Sequence, residues 1–299
     1  MADAPFVDAH IHFWDKSAPH LEWAWLAPGY QFRKWTSHPS IDAPRYATEE
    51  FLAEAAGTSL GGAVHVHCAD PIDDPNIETV WLESVAELTG WPHGIVGACD
   101  LHAAEATATI RAQAASSRFR GVRDPASPKR LDAVAAAPAI DALAALGASV
   151  EVRRHHDEFA AIDALAARWP SVTVLLSHAC LPLERTADQL AEWRAAMGLL
   201  AQRPNVACKI STVVGASQPE CSVAAVRPWI LACVEAFGAE RCMLGSNFPI
   251  DRPFCSFPQL IDVYRESIAE LTGPEREAVL AGTATRLYEL DLPAVSESR

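Results

Sequence analysis

Short apolar runs alternate with helical stretches along almost the whole of this 299-residue chain, and that rhythm constrains the fold more than any other feature. The first run, Pro5-Phe6-Val7, leads into Asp8-Ala9-His10-Ile11-His12. The others are Leu60–His67, Gly94–Cys99, Phe119–Arg123, Ala148–Arg153, Val172–His178, Val206–Ser211 and Arg241–Asn247. Helical segments are expected over Thr48–Ala56, Asp74–Thr89, Ala103–Ala115, Leu131–Leu146, Asp157–Trp169, Leu183–Ala201 and Ala224–Phe237, with Phe257–Leu271 and Pro274–Leu290 finishing the chain. The punctuation agrees. Thr48 reads as an N-cap with Glu49 and Glu50 in the first turn, Gly147 stands just past a helix end, and Pro170 stops a helix. Eight short strands, each followed by a helix, predict an α/β fold: a closed parallel (β/α)8 TIM barrel, one domain over residues 1–299. An open doubly wound sheet is the runner-up, but it normally carries a glycine-rich phosphate turn after its first strand, and Asp8–Trp14 holds no glycine. Between strand 1 and the first helix, Phe13–Ala47 is irregular and rich in aromatics (Trp14, Trp23, Trp25, Trp35). It reads as an insertion folded back as a lid or rim, or as a satellite surface cluster. The tail from Ala294 is expected to fray.

Charge and cysteine content narrow the partners. With 24 basic and 38 acidic residues the chain carries a formal −14, which argues against nucleic acid or an anionic membrane. The eight cysteines form no Cys-x-x-Cys pair and several sit in apolar runs, as expected of buried thiols in a reducing compartment. No stretch approaches the ~18 apolar residues of a membrane span, and no leader pattern opens the chain. A cytoplasmic protein acting on a small molecule is expected, and a homo-oligomer is compatible with the sequence.

In a barrel of this kind the chemistry sits at the C-terminal strand ends. Those ends here carry His10 and His12, His65 and His67, Asp100, Arg123, Glu151 and Arg153, His178, Lys209, and Asn247 followed by Asp251. The i, i+2 spacing of His10 and His12 puts both rings on one strand face, where they can hold a cation or a polarised carbonyl. His65 and His67 repeat that spacing. Val64 and Val66 suit the helix-facing side of their strand, which places His67 in the bowl and His65 one layer deeper. Arg123 suits a carboxylate of the substrate, or a salt bridge to Asp124. Lys209, in an otherwise apolar strand, points into the mouth or snorkels outward. Trp14 is a candidate wall for the substrate. His20, His38, His93, His102, His155 and His156 fall in loops or helix starts, where a solvated role is the default.

Val7-Asp8-Ala9-His10-Ile11-His12-Phe13-Trp14-Asp15, His65-Val66-His67, Gly121-Val122-Arg123, Leu176–Pro182, Cys208–Ser211 and Leu244–Asp251 occur in the order seen in the amidohydrolase-related (amidohydrolase 2) family. The chain most resembles its lactonase-like branch, which includes 2-pyrone-4,6-dicarboxylate lactonase and the sugar-acid lactonases. The resemblance runs from Phe6 to Tyr288. It implies a (β/α)8 fold and hydrolysis of a lactone or similar ester. It also implies a site lined by His10, His12 and His178, with one zinc in some members and no metal in others. Relatives place a water-activating Asp on strand 8, and this chain has Asn247 there.

An amide cannot take a proton or supply an anionic ligand. Asp251 is therefore the nearest replacement base, with Asp8 or a histidine behind it. The expectation is a hydrolase of a carboxylate-bearing lactone or ester. His10, His12, His178, Asn247 and Asp251 are the catalytic candidates; His67, Arg123, Lys209 and Trp14 are the substrate-binding ones. A divalent ion, zinc if any, would sit on His10, His12 and His178. Two alternatives stay open: a zinc-dependent decarboxylase on the same fold, and a barrel that binds small acids without turning them over.

Overall fold

The structure is a computed structural model that describes residues 4–27, 41–71, 74–124, 131–153, 158–181, 186–215 and 218–293. His38, Trp35, His155, His156 and the tail from Ala294 lie outside the described residues. Eight parallel strands follow one another in sequence order around a (β/α)8 barrel. They are β1 (Phe6–Ile11), β2 (Leu60–Val66), β3 (Gly94–Ala98), β4 (Phe119–Arg123), β5 (Ser149–Val152), β6 (Val174–Leu176), β7 (Val206–Ile210) and β8 (Cys242–Leu244). Between them run α1 (Thr48–Glu54), α2 (Ile77–Thr89), α3 (Ala106–Gln113), α4 (Ala137–Leu146), α5 (Phe159–Arg168), α6 (Ala187–Leu200) and α7 (Val223–Phe237). After β8 come α8 (Phe257–Ser267) and a final helix that passes from Gly273–Glu277 through a π-helical stretch, Ala278–Gly282, into Thr283–Leu287.

The expected elements are all present, with shifted ends. Thr48 is the first helical residue and Ala47 the cap, because Glu50 reaches back to accept the Ala47 N–H at 2.9 Å. The fourth of the helices expected between strands starts at Ala137, six residues late, where Pro138 fits the first turn without needing an N–H partner. β6 stops at Leu176 because His178, Ala179 and Cys180 all take left-handed φ (54°, 51° and 46°), which no strand can continue through. Regular β8 ends at Leu244, yet its backbone goes on to close the barrel. Asn247 N–H donates to His10 O at 2.8 Å and His12 N–H to Phe248 O at 2.9 Å, around a parallel Ile11–Phe248 bridge.

Two apolar layers hold the barrel. The outer layer, between strands and helices, includes Phe6, Ile11, Ile95, Val122, Val150, Val174, Leu176, Val206, Cys208 and Leu244. The inner layer is Val7, Ala9, Val64, Val66, Val96, Leu175, Ala207 and Met243, plugged by Ala281, Ala284, Tyr288 and Leu290 of the C-terminal segment. Val64 and Val66 therefore line the barrel interior, the reverse of the helix-facing side expected for them. The segment after β1 is part of the main core: Trp14, Trp23, Leu26, Ile41 and Tyr46 are buried in it. Two short antiparallel pairings tie it down, Trp14–Asp15 with Arg45–Tyr46 and Leu21–Glu22 with Asp70–Pro71. The Trp25 indole N–H donates to Cys68 O at 2.6 Å, so the insertion is a rim braced on the loop after β2. Every cysteine is a free thiol and all but the half-buried Cys221 are buried. Among the described residues no helix is long and apolar enough to cross a membrane.

Candidate active site

The first strand is irregular where it matters. Asp8 pairs with Ala63 but Ile11 with His65, so two residues of β1 oppose one of β2, an extra residue of the kind that defines a bulge. Val7 and Ala9 face the barrel interior, and strict alternation from them would turn His10 and His12 out toward the helices. The extra residue reverses the phase, and both rings enter the mouth. The Asp8 carboxylate holds the bulge in place, accepting the His10 N–H at 3.1 Å and the Ser246 N–H across the β8–β1 seam at 2.8 Å. Gly245 lets the seam close: a methyl group on it would come within 2.7 Å of His10 Cβ and 2.9 Å of His10 N.

Four rings and amides from three strand ends meet there. His10 Nε2 and His12 Nε2 are 3.2 Å apart, and the His178 ring centroid lies 4.5 Å from that of His10. His12 Nε2 is 3.1 Å from Asn247 Oδ1, and Asn247 Nδ2–H donates to Asp251 Oδ1 at 2.9 Å. His178 Nδ1 faces the hydroxyls of Ser211 and Thr212 at 2.8 and 2.9 Å. His178, Thr212 (φ 55°) and Asn247 (φ 59°) all adopt left-handed backbone. Such non-glycine residues cost of order 1–3 kcal/mol each and persist where the surroundings over-determine them.

The hydrogen bonds decide where the lone pairs point. His12 Nδ1 lies 2.8 Å from Val66 O, an acceptor only, so that nitrogen carries the hydrogen and Nε2 carries the lone pair. Asp251 takes the Asn247 NH2, so the amide presents oxygen to His12. Burial, and then the nearby charges, hold all three rings neutral. The His10 pKa falls well below the ordinary histidine value through burial and the Lys209 ammonium, that of His12 through burial and Arg123, and that of His178 through burial and Arg153. The His12 Nε2 lone pair and the Asn247 amide oxygen thus face each other at 3.1 Å with no hydrogen of their own to share, and His10 Nε2 lies 3.2 Å from the same nitrogen, an arrangement that a cation at their focus would satisfy. His10 Nδ1 is a further buried nitrogen without a partner.

Beneath the rings lies a buried ion pair. Lys209 points into the barrel, not outward, but its ammonium is committed to Glu151 Oε2 at 2.5 Å and the Tyr288 hydroxyl at 3.3 Å. Tyr288 in turn donates to Glu151 Oε1 at 2.5 Å. Lys209 therefore forms the floor and has its charge already paired. Burial lowers its pKa to about 8 and raises that of Asp8 to about 7.

At the rim, Arg123 is held by one hydrogen bond to His67 O, and among the described residues no carboxylate pairs with it; the alternative of a salt bridge to Asp124 is not formed. His67 sits beside it with Nδ1 3.1 Å from Glu78 Oε2. Burial alone would raise the Glu78 carboxyl, but the His67 contact and the Cys68 N–H outweigh it and hold it well below the usual carboxylate range. His65 faces away from the mouth, its Nε2 3.8 Å from Cys68 Sγ and 4.0 Å from Glu78 Oε1, its pKa lowered to about 4 by burial. Trp14 is fully buried, with its indole N–H on Ala43 O at 3.0 Å, and braces the rim from within. His93, expected in solvent, is buried and accepts the Ala63 N–H at 3.3 Å.

The geometry offers other ligand groupings beside the expected trio. Among the described residues, the group of three ligand-type side chains whose donor atoms lie within 4.8 Å of one another is His12, His65 and Cys68, not His10, His12 and His178. Its chemistry fits a metal poorly: burial keeps the Cys68 thiol protonated, its Sγ–H directed at Phe13 O at 3.3 Å, and His12 Nδ1 is spent on Val66. His10, His12 and Asn247 on the mouth side fit better. Two nitrogens on one zinc at ~2.0–2.1 Å stand roughly 3.3 Å apart in tetrahedral geometry, and His10 and His12 already stand at 3.2 Å. Glu78, Ser211, Thr212 and Tyr288 were not singled out from sequence. Ser211 closes a strand-end motif and was open to such a reading; Glu78 and Tyr288 lie in ordinary helical pattern.

The chain matches the family model described as "Amidohydrolase" over residues 7–290. It is similar to an uncharacterized protein, y4mH, of Sinorhizobium fredii, 29% identical over 302 residues covering 97% of this chain and 100% of that one. It is also similar to an L-fucono-1,5-lactonase of Burkholderia ambifaria, 27% identical over 296 residues covering 96% and 97%. Among solved structures, an amidohydrolase of Burkholderia multivorans with bound zinc superposes with a TM-score of 0.78 at 24% identity, covering 96% of this chain and 100% of that one.

Proposed function

The chain belongs to the amidohydrolase family, and from that premise we propose that it is a hydrolase that opens a lactone, or a related ester, bearing a carboxylate. The observation that carries this reading is the convergence of His10 Nε2, His12 Nε2 and Asn247 Oδ1 beside His178, in a mouth where, among the described residues, Arg123 has no carboxylate of its own. The B. ambifaria relative, a lactonase by name, supports the reaction class.

His10, His12 and Asn247 would hold a divalent ion, with His178 alongside. When bound, such an ion supplies Lewis acidity, polarising a carbonyl and easing deprotonation of water. The side chains do the rest. Arg123 pairs with the substrate carboxylate and sets the lactone's orientation over the rings. His178, half-exposed and neutral, takes one proton from the attacking water as its oxygen bonds to the carbonyl carbon. The Ser211 and Thr212 hydroxyls turn to hold the ring in either state. The ring C–O bond then breaks, and the departing alkoxide takes the proton back from His178, leaving a hydroxy acid. Asp251, buried and bonded to Asn247, acts through that amide.

The test is acid release in a pH-stat from sugar-acid lactones and from carboxylate-bearing lactones, before chelation, after it, and after zinc is restored. One equivalent of acid per lactone opened is expected, with carboxylated lactones preferred. Release of carbon dioxide would assign a decarboxylase instead, and binding without turnover under every metal condition would assign an acid-binding barrel.

A further inference from the structure

Asparagine at the end of β8 raises a question of orientation. Its amide oxygen and nitrogen are nearly the same size, so a partner must decide which of them enters the mouth. The decision falls to Asp251, one turn onward. Ile250 N–H donates to Asn247 O at 2.8 Å, closing a tight turn that brings the Asp251 carboxylate under the amide, where Oδ1 accepts from Nδ2 at 2.9 Å. Asp251 is buried, and so is Asn247. An amide whose nitrogen is bonded to a carboxylate can only turn its oxygen toward His12 Nε2, 3.1 Å away. The reverse orientation would aim the amide oxygen at the carboxylate and the NH2 at the His12 Nε2 lone pair, expelling a cation.

We infer that Asp251 is a positioning residue, and that Asn247 and Asp251 together form a cation-binding dyad in which the neutral amide oxygen is the ligand and the negative charge stands one bond further out. This rests on the reading above that a divalent ion is held by His10, His12 and Asn247. It assigns Asp251 a role other than the base expected from sequence. The dyad lowers the charge at the focus itself while still supplying one carboxylate to the neighbourhood, which suits a site that must also admit an anionic substrate.

Zinc affinity, measured by competition with a chromogenic chelator, tests this without reference to turnover. D251N is expected to weaken binding by roughly 10- to 100-fold, the usual scale for removing an outer partner of a metal ligand. The exchanged double variant, N247D with D251N, restores the donor–acceptor pair with its polarity reversed and is expected to recover affinity to within a few-fold of the parent. Unchanged affinity in D251N, or no recovery in the double variant, would overturn the dyad while leaving the hydrolase reading standing. A parent protein that binds no zinc would overturn both. Should D251N fail to fold, N247A keeps Asp251 and removes the amide; it must lose at least as much affinity, and parent-like binding there overturns the inference.

Discussion

The molecule carries the same three-residue pattern, histidine at i and i+2, on two adjacent strands and uses it in opposite ways. On β1 both rings, His10 and His12, enter the mouth and converge to 3.2 Å. On β2 His65 turns its back on the mouth, packing against Cys68 and Phe13 among the helices, while His67 sits past the strand on Glu78. Spacing guarantees that two residues share a face. It does not say which face. On β2 the pairing with β3 is regular from Val64 to Val66, so Val64 and Val66 take the interior and His65 is left the outside. On β1 the extra residue between Asp8 and Ile11 changes the phase after Val7 and Ala9 have already faced inward. A single inserted residue, clamped by Asp8 and admitted by Gly245, separates a candidate active-site pair from a structural one.

The largest effect that would sharpen the contrast is on turnover. His12→Ala should lower kcat by about 100- to 10,000-fold, whereas His65→Leu should leave kcat within about threefold and show instead as a change in unfolding midpoint; equal losses of kcat from both would erase the distinction. Arg123→Met should raise KM about 10- to 100-fold with little change in kcat, the loss of one charge-assisted contact worth about 1.5–3 kcal/mol, and an unaltered KM for carboxylated lactones would remove Arg123 from the substrate. Gly245→Ala should cost about 1–3 kcal/mol in denaturant unfolding, because the new methyl meets His10 Cβ at 2.7 Å. Gly147→Ala, in the left-handed position after α4 and far from the mouth, should destabilise without touching zinc affinity. If Gly245→Ala also spares zinc affinity, the seam is not what aims His10.

The subtlest effect is on pH dependence in the chelated protein. His10, His12, His65, His93 and His178 have folded pKa values below the ordinary 6.5, so as pH falls below 6.5 the unfolded chain binds these five protons first and stability is lost. Asp8 opposes them: its folded carboxyl, raised to about 7, stays protonated where the unfolded one is ionised, which favours the fold between about pH 7 and 4. Five protons less one leave a net loss, on the order of 1.4 kcal/mol per pH unit for each net proton. Denaturant midpoints between pH 6.5 and 4.5 should fall accordingly; a flat profile would mean that the rings are solvated and the mouth is open to water.

Much of the site was legible because strand ends in a barrel share a rim, and residues at those ends carry the chemistry wherever they fall in sequence. His10, His12, His178, Asn247 and Asp251 were found that way, and the structure gathers them. Three readings needed more than the chain order. Lys209 was read as pointing into the mouth or snorkelling outward; it points inward, but its partner Glu151 lies 58 positions away and Tyr288 lies 79 away, so its charge read as available to substrate. His93 read as solvated because the residues around it look like a loop, while Ala63 and the neighbouring strand bury it. The three-histidine ligand set came from the family resemblance, and the amide orientation that makes Asn247 a further candidate depends on its bond to Asp251.

What the sequence determined by itself was local: short continuous apolar runs, the helical stretches between them, their caps and their eightfold order, all set by interactions between residues a few positions apart. From these followed the barrel and the identity of the groups on its rim. What only the tertiary structure decided was phase and orientation. The face presented by β1 depends on its register against β2, and the end of Asn247 turned to His12 depends on a turn and a seam that bring together residues 235 positions apart. Such choices hang on one inserted residue or one hydrogen bond between distant segments, and no periodicity along the chain encodes them.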